Sequence, residues 1–335
     1  MNSPQQRRNL SCNALSIAVE ATSAAIVLIL FAITIIRPRS IPNAPSVSRE
    51  LILALAAIFV SSSLSHSIPH SGARSGMRVM SLLALVGFLD SEMAGFQHVL
   101  VQKWCDESVL SFEVNLAGQP WGLLLQQVVH PYVTEMSMFA YVIYAMLLPA
   151  TAAICYWFGG EKAVDDYLLA LCVAFSICFV GFMIYPLAGP YFFSSETYSV
   201  PLRGGFFTQC GEWIRIHKHY PGGSLPSPHC AGATVMLAML FRYNRSIAFV
   251  VLPTILLLYI STVYGRFHYA IDAVVGIATG VVAITCSPKM VELIASVMNR
   301  PIRIFPNAQP LVNPRLDPPM FSLSKHNQLT GGSQR

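Results

Sequence analysis

Long apolar stretches restrict what this sequence can fold into. Several reach the roughly 20 residues that a helix needs to cross the hydrocarbon core of a bilayer. Only 11% of the 335 residues are charged and 54% are hydrophobic, whereas soluble domains carry about 25% charged residues. The stretches lack the short alternating pattern of a membrane β-barrel. The sequence therefore predicts an all-α protein, a polytopic bundle of transmembrane helices.

Apolar length and flanking charge indicate about eight candidate spans. They cover residues 13–36, 50–66, 79–98, 133–158, 165–187, 229–243, 247–265 and 267–287. The first is too long for the apolar region of a signal peptide, so we interpret it as a membrane helix. We expect three parts: a tail with two extra membrane helices (1–78), a membrane domain (79–288) and a polar, Pro-rich tail (289–335) that is disordered and cytoplasmic.

Basic residues predict the orientation, because short cytoplasmic loops are enriched in Lys and Arg. With an even number of spans, most basic loops lie on one side, which we take as cytoplasmic; Arg37, Arg39 and Arg49 lie on the other side, against this rule. The 188–228 loop and the starts of the sixth and eighth spans then share the extracytoplasmic face. We expect this to be a multi-pass protein of the plasma (inner) membrane.

Charge and cysteine patterns narrow the function classes. The net charge is +5, but no basic block interleaved with aromatics suggests nucleic-acid binding. The 8 cysteines are scattered without a CxxC pair, so they read as small buried residues, and no metal site or cofactor is predicted. Cys105 and Cys210 fall on the same predicted side, where a disulfide between them is conceivable.

His229 begins the sixth span, within GGSLPSPHCAGATV, residues 222–235. Ser227 precedes it where a helix N-cap would lie. Backbone N–H groups and the helix dipole favour an anion at such a start. His229 can therefore bind or protonate a phosphate oxygen, although an interfacial histidine can equally serve as an anchor or a cap.

A second group lies in ISTVYGRFHYAIDAVVG, residues 260–276. His268 and Asp272 are four residues apart and share one face if both are helical. A carboxylate beside an imidazole fixes its tautomer and leaves the other ring nitrogen free as a nucleophile. Arg266 can hold phosphate oxygens with two N–H groups, or it can be an interfacial snorkelling residue. A carboxylate in an apolar span is harder to dismiss, because it is energetically expensive and usually functional.

Both segments resemble the type-2 phosphatidic acid phosphatase superfamily, whose signature is PSGH followed by SRxxxxxHxxxD. The first block reads Pro226-Ser227-Pro228-His229 here, and the second ends in His268-Tyr-Ala-Ile-Asp272. The HYxxDxxxG ending looks most like the inositol phosphorylceramide synthase-related (inositolphosphotransferase) branch, as do residues 106–127 and 185–193. The resemblance covers roughly residues 85–288 and implies a phosphatidic acid phosphatase-like core of six membrane helices.

The sequence departs from this signature at three places. Pro228 replaces the glycine of PSGH and removes a backbone N–H, and Thr262 replaces the arginine of SRxxxxxH. A KxxxxxxRP block has no clear match, since Tyr191 stands where related sequences often have arginine. Three basic residues are candidate substitutes in phosphate binding: Arg203, Lys218 and Arg266.

The resemblance implies metal-independent chemistry on a phosphate-bearing lipid. His268 would be the nucleophile that forms a phosphohistidine, Asp272 would orient it, and His229 would protonate the leaving alcohol. Ser227 and the three basic residues would bind the phosphate. We expect the 188–228 loop to cover the site, with Arg203 or Lys218 approaching the histidines.

Several functions fit these residues. Attack by water on the phosphoenzyme gives a lipid phosphate phosphatase, and attack by an alcohol gives a phosphotransferase. An inactive, degenerate family member is an alternative, as is a non-catalytic transporter or scaffold that uses Asp90, Glu92 and Asp272 as pathway residues. The expected partners are the bilayer and a lipid phosphate or phospholipid substrate. The sequence leaves the lipid, the acceptor and the oligomeric state open.

Overall fold

The computed structural model describes residues 4–298, with side chains from residue 14 to residue 296. The secondary structure in this part of the chain is helical, with two short 3-10 turns at Pro38–Ser40 and Ser195–Thr197. The α-helices are α1 (Pro4–Ile36), α2 (Ala44–Ser67), α3 (Ser71–Met93), α4 (Asp106–Ala117), α5 (Trp121–Gln126), α6 (Pro131–Ile184), α7 (Pro190–Phe193), α8 (Phe206–His217), α9 (Pro228–Tyr243), α10 (Arg245–Tyr264) and α11 (Ala270–Met298).

Six of the described helices are long and apolar enough to cross a membrane: α1, α2, α3, α6, α10 and α11. Helix α6 is 54 residues long, and Gly160, at φ 69° and ψ −163°, breaks it into arms 131–159 and 161–184. Helix α9, at 16 residues, is about 24 Å long. Each of the eight apolar segments is thus helical, and the prediction of a polytopic helical membrane bundle is confirmed.

The predicted start of the third span is wrong, because α3 begins at Ser71 and not at residue 79. Arg74 and Arg78, two basic residues between the second and third predicted spans, lie within this helix. Arg74 Nε donates to Glu161 Oε1 over 2.6 Å, and Arg78 Nη1 lies 2.9 Å from Asp165 Oδ2. Both partners belong to the second arm of α6. Pairing across the helices therefore neutralises the charges that suggested a loop.

The last helix is also displaced from its prediction. Helix α11 begins at Ala270, so His268 lies in the turn that precedes it. Its other end reaches Met298, beyond Pro288, so residues 289–298 are helical and the predicted tail does not begin at 289. The rest of that tail lies outside the described residues.

A disulfide between Cys105 and Cys210 is not formed, because both are free thiols. The backbone N–H of Cys105 donates to Pro186 O over 2.9 Å at the start of α4. Cys210 lies on α8, a helix that packs against α6.

Helix α9 packs against α6, α10 and α11. Glycines allow its close approach to α11: a Cβ added at Gly276 would lie 2.5 Å from Ser227 O, and one added at Gly280 would lie 2.7 Å from Ala231 O. Main-chain atoms of the two helices therefore come almost into contact. This packing brings together the beginnings of α9 and α11, next to His229 and His268.

Widening this contact should destabilise the protein. We expect Gly276→Val to lower the free energy of unfolding by about 1–3 kcal/mol, because the added methyl groups must push two backbones apart. Gly87→Val on α3 is a matched control, since nothing lies within 4 Å of its added Cβ. Thermal unfolding of the purified protein in detergent measures both. Equal unfolding temperatures for the two variants would show that the glycine contact does not hold the helices.

Candidate active site

Three histidines meet at one end of the bundle. His229 is the second residue of α9, and its ring centroid lies 5.9 Å from that of His268. His219 comes from the segment between α8 and α9. Burial lowers the pKa of its imidazole to about 3, and the nearby charges of His268 and Arg215 act in the same direction. His219 is therefore a neutral member of this cluster at physiological pH.

Ser224 connects His268 to Asp272. The direct separation of His268 Nδ1 and Asp272 Oδ2 is 3.6 Å, too long for the hydrogen bond that the sequence suggested. Ser224 Oγ lies between them, donating to Asp272 Oδ2 over 2.6 Å and lying 3.3 Å from His268 Nδ1. The reason for the difference is that His268 lies before α11 and not on it, so the two side chains do not share a helix face.

This arrangement fixes the protonation of the His268 ring. A hydroxyl has one proton, and Ser224 donates it to the Asp272 carboxylate. Ser224 can then only accept from His268, so Nδ1 carries the ring proton. In the neutral ring Nε2 then carries the lone pair, and it makes no hydrogen bond within the described residues. The geometry therefore supports a nucleophilic nitrogen at Nε2.

Carboxylates occupy the beginning of α11. Asp272 Oδ2 accepts from the backbone N–H of Tyr269 over 3.0 Å, as an N3 residue does in a capping box. Glu113 Oε1 accepts from the N–H of Ala270 over 2.8 Å. The first N–H groups of α11 are thus already paired and are not free for a phosphate. The start of α11 therefore offers no free N–H of Tyr269 or Ala270 to an anion.

Ser227 caps α9 and makes no hydrogen bond to a histidine within the described residues. Its Oγ accepts from the N–H of Cys230 over 3.4 Å, and its backbone N–H donates to Asp272 O over 3.0 Å. Its side chain is buried. The cap agrees with the sequence, whereas the predicted phosphate contact has no support in these bonds.

Arg215 is the cation that the fold buries near the histidines. Its guanidinium lies over the rings of Phe267 and Tyr191, with Cζ 4.6 and 5.1 Å from their centroids. It donates to Gly265 O and to Glu212 Oε1, while Nε has no partner. Burial lowers its pKa, but an arginine remains charged at neutral pH.

The three predicted phosphate-binding cations lie elsewhere. Arg203 is exposed in a surface groove beside α8, and Lys218 is exposed at the end of that helix. Arg266, in a left-handed conformation at φ 63°, donates to Val200 O and lies over Tyr198, 4.4 Å from its centroid. Arg266 therefore fastens the loop, and Arg215 takes the position expected of Arg203 or Lys218.

Thr262, which replaces the family's arginine, has a structural role. It is buried, and its hydroxyl donates to Tyr259 O over 2.8 Å. Its carbonyl accepts from the N–H groups of Phe267 and His268, each over 3.0 Å. Thr262 thus holds the turn that presents His268.

Asp106 fastens the start of the covering loop to the same turn. Its carboxylate accepts from the N–H groups of Ala188 and Gly189, over 2.8 and 2.9 Å, and from Tyr269 Oη over 2.8 Å. Burial raises its pKa, and these hydrogen bonds oppose the increase. Residues 188–228 supply Ser224, His219 and Arg215 to this cluster.

Unpaired polar atoms are concentrated at this end of the bundle. Eight fully buried side-chain N or O atoms lack a hydrogen-bond partner among the described residues. Five belong to the cluster: Arg215 Nε, His219 Nδ1, Tyr220 Oη, His229 Nδ1 and Asp272 Oδ1. Proteins pair nearly all such atoms, so these five indicate a site for a polar ligand or water.

Aromatic rings and an acid complete the walls. Tyr141 stacks on His229 at a centroid distance of 4.7 Å, and Tyr144 lies 4.9 Å from it. Burial raises the pKa of Tyr220 well above its ordinary value, and the neighbouring Asp90 carboxylate adds to the increase. Asp90 is therefore part of the site's surroundings. Within the described residues, no group of three or more His, Cys, Asp or Glu is arranged to hold a metal ion.

Sequence reasoning missed Ser224, Arg215 and His219. Arg215 carried a signal, because Thr208, Gly211 and Arg215 recur at helical spacing and form the buried face of α8. Ser224 and His219 lie in a loop without periodicity, and no pattern points to them.

Comparison with known proteins agrees with the helical membrane fold. A model of the PAP2 superfamily matches residues 107–286, more than half of the chain. The match includes His229, His268 and Asp272, and it leaves out α1, α2 and α3. No curated protein and no solved structure matches the chain. The branch related to inositol phosphorylceramide synthase stays a prediction. The chain is a multi-pass membrane protein that belongs to the PAP2 superfamily, whose members are generally phosphatases or phosphotransferases.

Proposed function

We propose that this protein is a membrane enzyme that cleaves a phosphate ester of a lipid through a phosphohistidine on His268. The arrangement of His268, Ser224 and Asp272 carries the proposal, because it leaves Nε2 unprotonated next to a second histidine. We place the site on the extracytoplasmic side, on the distribution of basic loops.

The first step forms the phosphoenzyme. His268 Nε2 attacks phosphorus, a P–N bond forms and the P–O bond to the lipid alcohol breaks. The negative charge of the bound phosphate favours a protonated His229. This ring donates its proton to the departing oxygen, so the alcohol leaves neutral. The ring centroids lie 5.9 Å apart, so one phosphate bound beside the edges of both imidazoles can be within reach of both, given that reacting atoms approach to about 3–3.5 Å.

The second step releases the phosphoryl group. An incoming hydroxyl attacks phosphorus, its proton passes to His229 and the P–N bond breaks. If the substrate is a lipid phosphate monoester, water yields free phosphate. If the substrate is a phospholipid, the headgroup phosphate stays on His268, and its transfer to an alcohol yields a new phosphodiester. Resemblance to the inositolphosphotransferase branch favours an alcohol acceptor.

Unpaired donors supply the charge stabilisation. Arg215 Nε and one His219 nitrogen are buried and make no hydrogen bond within residues 14–296, and a phosphate offers the acceptors that such donors lack. Most of the catalytic benefit in phosphoryl transfer comes from such fixed donors around the equatorial oxygens. Arg215 thereby replaces the arginine that is missing at Thr262.

Purified protein in detergent, given a panel of lipid phosphates and phospholipids, tests the proposal. Free phosphate and new phosphodiester are followed separately, with and without EDTA. We expect turnover of at least one class, undiminished by the chelator. Release of neither product would favour an inactive member, and transport of a phosphorylated solute without cleavage would favour a transporter.

Replacing the two histidines should have different consequences. We expect His268→Ala to abolish turnover, because the variant lacks the nucleophile that the proposal assigns. His229→Ala should lose most activity on alkyl phosphates and regain part of it on aryl phosphates, whose leaving groups need less protonation. Steady-state rates on matched alkyl and aryl substrates measure this. Full activity in His268→Ala, or equal losses of His229→Ala on both substrates, would refute the assigned roles.

Removing the serine between His268 and Asp272 should slow the chemistry without unfolding the protein. We expect Ser224→Ala to lower kcat by about 10- to 100-fold, as loss of a residue that orients a reactive ligand does. Ser199→Ala is a control from the same loop, because that hydroxyl contacts Gln126. Rates and thermal unfolding are measured together. Unchanged kcat in Ser224→Ala would show that the serine does not set the His268 tautomer.

Replacing Arg215 and replacing Arg203 should have very different effects on kcat/KM. We expect Arg215→Ala to lower kcat/KM at least about 100-fold, within the range for removal of a transition-state donor. Arg203→Ala should change kcat/KM less than about threefold, because that side chain is exposed. The reverse order would restore the expectation from the sequence, in which Arg203 holds the phosphate.

A further inference from the structure

We propose that the N-terminal hairpin of α1 and α2 forms a binding site for one glycerophospholipid with an amine-bearing headgroup. A cavity of about 500 Å³ lies between α1, α2, α3 and the second arm of α6, in the size range of small-molecule sites. It is separate from the histidine cluster, and the proposal does not depend on the enzymatic function. Helices α1, α2 and α3 lie outside the family match, so the family domain does not account for this site.

The cavity opens sideways into the space that the bilayer occupies. Leu53, which is 61% exposed, and Ala57 line its open side on α2. From Glu50 to Ser65 the lining of α2 extends about 22 Å at 1.5 Å per residue. Between these residues the wall is mostly apolar. A long apolar space that communicates with hydrocarbon is filled by an acyl chain, because a void of this size would forfeit packing contacts.

One end of the cavity is polar, and its charges identify the headgroup. Arg78 Nη1 donates to both Asp165 oxygens, over 3.1 and 2.9 Å, while its Nε is buried without a partner. Glu20 lines the same cavity; His66 Nε2, from outside the lining, lies 4.0 Å from its Oε1, too far for a hydrogen bond, and Glu20 makes no hydrogen bond within residues 14–296. The ligand must therefore offer an acceptor to Arg78 Nε and a donor to Glu20.

Two carboxylates and one guanidinium leave an excess of one negative charge at this end. A phosphate next to Arg78 and an ammonium next to Glu20 satisfy both residues at once. Because charged groups in a membrane need such partners, a zwitterionic aminophospholipid fits better than an anionic lipid.

The headgroup belongs to the leaflet opposite the histidines. Asp90 of α3 neighbours Tyr220 at the histidine end, and Arg78 lies about 18 Å from Asp90 along the same helix. Asp165 follows the Gly160 break, which is also distant from the histidines along α6. The acyl chain then runs along α2 from Arg78 toward Glu50.

Native mass spectrometry of the full-length protein tests the site. Detergent-purified protein is delipidated and exposed to vesicles of phosphatidylethanolamine mixed with phosphatidylglycerol, and retained lipid is counted. We expect one bound phosphatidylethanolamine per chain, preferred several-fold over phosphatidylglycerol. Ala57→Trp, which fills the cavity, should reduce retention at least about fivefold. Ala56→Trp, at an exposed neighbouring position that does not line the cavity, should retain the lipid.

A second pair of variants, one test and one control, examines the contact with the headgroup. Arg78→Gln should remove the preference for phosphatidylethanolamine, whereas Arg74→Gln should keep it, because Arg74 pairs with Glu161 outside the cavity. Equal retention by Ala57→Trp and Ala56→Trp would overturn the site, even if Arg78→Gln fails to fold. Equal retention of both lipids by the natural sequence would overturn the headgroup assignment. A dimer that Ala57→Trp alone dissolves would assign the cavity to a second copy of the chain and overturn the proposal.

Discussion

The close contact between α9 and α11 is the constraint on which the rest of the site depends. Gly276 lets α11 approach the backbone of Ser227, and one bond from Ser227 N–H to Asp272 O ties the two helix starts together. In a membrane, interfaces of small residues allow such approach where no hydrophobic effect drives association. His229 follows directly on one side of this contact, and the His268 turn precedes it on the other. The distance between the two imidazoles is therefore set by the backbone and not by flexible side chains.

Much of this bundle could be predicted because a membrane helix shows in the sequence as a long apolar stretch. In lipid every backbone group must be paired within its own helix, so apolar length predicts the elements well. The prediction was wrong at the charged start of α3, where Arg74 and Arg78 pair with acids that are 87 positions away in sequence. Local patterns cannot show such pairing. The same limit explains the site: His229 and His268 stand out in short segments, whereas Ser224 and Arg215 acquire their positions only when the long loop folds back over the bundle.

The departures from the family signature follow a consistent physical pattern. The position of the missing arginine is filled by Thr262, which packs inward and uses its carbonyl to hold the His268 turn. The positive charge comes instead from Arg215 on α8, above aromatic rings that shield it from water. The site therefore keeps a cation near the reacting groups while changing the segment that carries it. Short motif matching would miss this exchange, since the two positions are far apart in the chain.

Pro228 has a consequence beyond the donor it removes. A proline at the first helical position lacks only an N–H that the helix would leave unpaired, and its ring presets the backbone angle that the helix requires. It also narrows the conformations open to the unfolded chain, so that less entropy is lost when the segment orders. His229 comes immediately after this residue. Under the proposed mechanism, the chain thus exchanges a contact with the phosphate for preorganisation: its second histidine is held in position before a substrate binds.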